Sequence, residues 1–101
     1  MKLKNAFASI KFENKDGIET KYETLFQTVK DELLKIYIPY FAKFAEGMFT
    51  DHTKNSIVCE IMEHHKDSIE QEDCVIVALH IMNMLCALIH LLEYKNIYKK
   101  I

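Results

Sequence analysis

Arginine and tryptophan are absent from these 101 residues, glycine occurs twice, proline once and cysteine three times. Each scarcity removes options. All thirteen basic residues are lysines. Arginine supplies the planar, bidentate fork that suits phosphates and guanine edges. Its absence, a net charge of −2 and the lack of a basic stripe therefore argue against nucleic acid as the partner. Two glycines, Gly17 and Gly47, cannot build a glycine-rich phosphate loop or a G-x-S-x-G elbow. An odd number of cysteines, with Cys59 and Cys86 in apolar sequence surroundings where a reduced thiol behaves as a small hydrophobe, points to a reducing compartment. The opening MKLKNAFASIKFEN lacks the unbroken apolar run of a secretory signal, because Lys11 and Glu13 intrude. The expected location is the cytoplasm.

Half of the residues are apolar, enough for a single core without a metal or disulfide staple. No repeat, low-complexity tract or Pro/Gly/Ser-rich linker divides the chain, so residues 1–101 are expected to form one domain. The expected class is mainly α: a compact bundle of three to four helices around a hydrophobic C-terminal helix, with a short β-hairpin or a helix at the N-terminus. In that first segment Ala6, Ala8, Ile10 and Phe12 alternate with polar or outward positions, and Asn14–Gly17 (NKDG) is a turn followed by alternating Ile18, Thr20 and Tyr22. This pattern favours a hairpin. Leu3, Ala6, Phe7 and Ile10 also share one helical face, with Gly17 as a stop.

From Tyr22 the spacing is helical through Leu25, Phe26, Val29, Leu33, Ile36, Tyr37, Tyr40, Phe41 and Phe44. Thr20 to Glu23 and Thr24 to Gln27 both fit a capping box. Pro39 predicts a kink or break, and Ala45–Gly47 closes the segment. Thr50 or Asp51 can cap a third helix to about His65, with Ile57, Val58, Ile61, Met62 and His65 on the inward side. Ser68 or Asp67 can cap the last helix, whose acidic start and lysine-containing end agree with the helix dipole.

That helix contains CVIVALHIMNMLCALIHLL, nineteen residues from Cys74 to Leu92 without an acid or a lysine. At 1.5 Å per residue it spans about 28 Å, close to a bilayer's hydrocarbon thickness. Two histidines and an asparagine are costly at that depth, and the other helices have amphipathic faces that need an apolar partner. The stretch is therefore read as the spine of a soluble core, with no membrane role. Asp73, Ile76, His80, Asn83, Ala87, His90 and Tyr94 recur at three- and four-residue steps and form its hydrophilic line. Internal hydrogen bonding or solvent satisfies such a line in the plain reading. The sharper one is a homodimer seam through His80, Asn83, Ala87 and His90, with Asn83 fixing register.

The cluster EIMEHHKD, Glu60 to Asp67, has neither H-E-x-x-H nor E-x-x-H spacing, and His80 and His90 are too far apart on one helix to share an ion. Met82, Cys86 and His90 form a row of soft ligands that core packing explains more simply. No metal or other cofactor is expected, and no catalytic constellation is apparent. Charge supplies the remaining signal. Six acids, Glu60, Glu63, Asp67, Glu70, Glu72 and Asp73, face Lys66 alone within one short segment. A solvated helix end explains most such runs; an electrostatic landing site for a basic protein is the functional alternative. The expectation is a non-enzymatic protein-binding module, such as an inhibitor or immunity protein that blocks a basic toxin or nuclease. The acids would steer, and Tyr37, Tyr40 and Phe49 would anchor.

Overall fold

Why the first segment coils instead of pairing as strands is visible in Phe7 and Ala8. Phe7 is fully buried and Ala8 is exposed, which is the helical face and the reverse of the alternating one. In the computed structural model, which describes residues 2–37 and 50–99 (side chains 5–36 and 50–91), Lys2–Ser9 is a helix, α1, and no strand occurs among the described residues. The hairpin expectation is corrected accordingly. Its turn signal was genuine but leads into a helix. Asp16 and Gly17 take left-handed conformations (φ 56° and 72°), and the Asn14 side chain accepts from the Glu19 amide at 2.8 Å and the Thr20 amide at 3.4 Å. Asn14 thereby satisfies orphan donors at the start of α2, Ile18–Lys21. Ile18 and Tyr22, an i, i+2, i+4 match for a strand, are also i, i+4 on a helix, and both are buried.

A break at Tyr22 separates α2 from α3, Glu23–Glu32, which runs on as a π-helical turn over Leu33–Tyr37. Neither expected capping box forms: Tyr22 holds the cap position of α3 without a side-chain bond. Leu25, Phe26, Val29 and Leu33 are buried at the predicted spacing. Pro39 and Ala45–Gly47 lie outside the described residues. Thr50 does cap α4, Asp51–His64, accepting from the Thr53 amide at 3.2 Å, and Ile57, Val58 and Ile61 turn inward.

The last helix, α5, spans Cys74–Lys99. It starts later than Ser68 or Asp67 would place it. Ser68 instead ends a 3-10 turn over Lys66–Ser68; Ile69 is extended and buried, and a second 3-10 turn over Gln71–Asp73 leads into α5. Burying Ile69 requires the chain to leave the helical path here, and an apolar side chain of that size gains about 2 kcal/mol by leaving water. The helices α1, α3 and α4 all pack on α5. Val77, Ile81, Met84, Leu85 and Leu88 on α5 are completely buried against Phe7, Phe26, Val29, Leu33 and Ile61. The architecture is a mainly helical bundle gathered around its C-terminal helix.

Candidate functional site

The acidic segment runs from the last turns of α4 to the start of α5, and Lys21 of α2 with the adjoining Tyr22 engages two of its six acids. Lys21 reaches Glu70 Oε2 and Asp73 Oδ2, both at 2.7 Å. The Tyr22 hydroxyl donates to Asp73 Oδ2 at 2.6 Å and accepts from the Glu70 amide at 3.1 Å. The hydrogen bond from Lys21, then that from Tyr22, holds the Asp73 carboxyl below its ordinary range. Lys21 likewise holds Glu70 down, and the two carboxylates push the Lys21 ammonium above its usual value. Burial first, and then Asp73, raises the Tyr22 hydroxyl. Glu70 and Asp73 are thus engaged by α2 at the surface, with Glu70 still exposed and Asp73 half-buried. Glu63 pairs with Lys66 at 2.9 Å, which lowers its pKa. Glu60, Asp67 and Glu72 are exposed and join no ion pair among the described side chains. Of the aromatic anchors, Tyr40, Phe49 and the Tyr37 side chain lie outside the described residues.

The hydrophilic line on α5 is divided by the fold. His80 is 4% exposed, so it is interior and unavailable to a surface seam. Its Nε2 lies against Glu19 Oε2 of α2, and both atoms are sealed from solvent. The Phe26 ring lies 4.2 Å and the Phe12 ring 5.6 Å from the His80 ring, centroid to centroid. Lys30 Nζ sits 3.9 Å from the other Glu19 oxygen and 5.7 Å from the Phe12 ring centre. This buried polar contact joins α2, α3 and α5. Sequence spacing marked His80 as polar but held no sign of Glu19, sixty-one positions away, as its counterpart. Asn83 and His90 are exposed, while Ala87 packs against the core edge.

Beside Asn83 runs an apolar line. Val75 is 75% and Leu79 60% exposed, Cys86 is exposed and Met82 is half-buried. Gln71–Leu91 has the length and composition to cross a bilayer, with mean hydropathy 2.2, and 39% of it is buried in this fold. The helix is therefore a core spine on one side and an open apolar face on the other. Cys59 is exposed as well, so neither Cys59 nor Cys86 fills the interior as its sequence surroundings suggested.

No group of three His, Cys, Asp or Glu side chains able to hold a metal occurs among the described residues. His65 contacts Glu32 Oε1 at 2.9 Å, so this histidine braces α4 against α3. A groove of about 450 Å³ runs between α2, α3 and the turn after α4, lined by Lys21, Tyr22, Thr24, Thr28, His65 and Ser68. Its cation and its imidazole are already engaged by Glu70, Asp73 and Glu32, which leaves hydroxyls and the exposed Glu23 carboxylate as its free chemistry. No family model, curated protein or solved structure matches the chain.

Proposed function

We propose that the protein is a non-enzymatic binding module that engages a basic protein through the segment between α4 and α5, in the manner of an inhibitor or immunity protein. The observation that carries this reading is the division of labour among the six acids: Lys21 and Tyr22 fix Glu70 and Asp73, while Glu60 on α4 and Asp67 and Glu72 after it are exposed and join no ion pair among the described side chains. A fixed backbone bearing outward carboxylates presents negative potential at little ordering cost, which favours fast encounter with a cationic surface.

The test replaces the outward acids and leaves the anchored pair alone. A partner isolated from the native source should associate at least about tenfold more slowly with the Glu60→Lys, Asp67→Lys, Glu72→Lys variant at low salt, and the two rates should converge as salt screens the field. Equal rates for variant and wild type at low salt would refute the proposal.

A further inference from the structure

We infer that the groove between α2, α3 and the turn after α4 receives a lysine or arginine side chain of the basic partner, an inference that rests on the binding reading above and names the contact that follows encounter. What the groove presents is set by the bonds already made inside the fold. Lys21 is committed to Glu70 and Asp73, both at 2.7 Å, and His65 is held by Glu32 at 2.9 Å. Thr28 donates its hydroxyl hydrogen to the Thr24 carbonyl at 3.0 Å, so its oxygen is left with lone pairs alone. Glu23, in the first turn of α3, is exposed and joins no ion pair among the described side chains. A carboxylate and an oxygen whose hydrogen is committed both accept, and the ligand that suits them is a positively charged donor.

The surplus charge around the groove is negative. Lys21 is the cation in its lining, and it is outnumbered by Glu70 and Asp73 that hold it, by Glu32 beside His65 and by Glu23 itself. That balance admits a cationic group and repels a phosphate or a carboxylate. The start of α3, where Tyr22 makes no side-chain cap bond, is closed to an anion for the same reason, because the Glu23 carboxylate already lies in that first turn. Tyr22 and Leu25 add buried apolar surface to the lining, against which the methylene stem of a long cationic side chain can pack. A volume of about 450 Å³ is at the lower end of ligand pockets, room for one such side chain and its flanking backbone. Steering and seating then fall to different residues: the outward acids set the rate of encounter, and the seated side chain slows departure.

The probe is Nα-acetyl-arginine amide, compared with its lysine counterpart and with Nα-acetyl-citrulline amide, which keeps the shape of arginine without the charge. Titrated into nitrogen-15-labelled protein, at least one of the two cations should shift the Thr24, Thr28 and Ser68 amide resonances with half-saturation between about 1 and 20 mM, the weak range of a single side chain, and citrulline should bind at least about tenfold more weakly. Glu23→Gln should weaken the cation at least about threefold, while Glu13→Gln, which removes an exposed acid outside the groove, leaves binding unchanged. Thr28→Val keeps the side-chain shape, removes the acceptor and should weaken binding at least about twofold, so the comparison survives if Glu23→Gln disturbs the far-ultraviolet spectrum. Cations that shift no groove resonance up to about 50 mM overturn the inference, as do a citrulline probe that matches arginine and equal losses in Glu23→Gln and Glu13→Gln. None of these variants alters Glu60, Asp67 or Glu72, so a groove that fails leaves the steering proposal to its own test.

Discussion

His80 is the residue whose environment most changes its meaning. Along the sequence it is one polar position on a surface line; in the fold it is the inward end of a contact with Glu19, enclosed by Phe12 and Phe26. Removing one member of a buried polar contact leaves the other without its partner, which costs about 1–3 kcal/mol and more where the group left behind is a charge. Glu19 is partly exposed and Lys30 lies near its outer oxygen, so a smaller loss applies here. His80→Leu is expected to lower unfolding stability by about 2 kcal/mol, and Glu19→Leu combined with His80→Leu should recover much of that. Urea denaturation of both variants measures the difference. If the double variant is no more stable than His80→Leu, the contact contributes through packing alone.

At the scale of elements, periodicity was legible where burial is one-sided, and less so where two structures share a pattern. The inward residues of α3 and α4 and the Thr50 cap follow directly from three- and four-residue spacing and from cap chemistry. The hairpin failed because Ile18 and Tyr22 satisfy strand and helix spacing alike, and because Asn14 can cap a helix as readily as it shapes a turn. The start of α5 was misplaced since a buried Ile69 interrupts an otherwise helical run. What holds α2 to that start is the Lys21–Glu70–Asp73 cluster. Glu70 and Asp73 have depressed pKa values in the fold, so they bind protons more readily when unfolded, and the stability they confer is present above the unfolded carboxylate range and lost as pH falls through the folded values. Lys21→Met should therefore destabilise at neutral pH and converge with the wild type once both carboxylates are protonated in acid. Denaturation series from about pH 7 down to about pH 2 cover the ordinary carboxylate range and the region below it. A gap of constant size across the series would mean that Lys21 acts through its aliphatic stem.

For the whole molecule, sequence located the acidic segment but not the internal commitment of two of its members, since Lys21 and Tyr22 lie some fifty positions away. It also foresaw a central C-terminal helix without resolving that one side of it stays open, because nineteen uncharged residues carry too little contrast to tell an inward face from an outward one. The core joins residues from α1, α3, α4 and α5 into one cluster, so no part of the described fold has apolar packing of its own. Unfolding should then be a single transition. With tryptophan absent, tyrosine fluorescence reports local tertiary structure, including buried Tyr22 at the α2–α5 junction, while far-ultraviolet dichroism reports the helices. The two urea curves are expected to coincide within error, as cooperative single domains of this size do. Leu85→Ala, which opens a void at the centre of α5, should shift both curves together by about 3 kcal/mol. A tyrosine transition that precedes the loss of helix would show that the α2–α5 junction opens before the bundle, and that Lys21 and Tyr22 hold the acidic segment in place only loosely.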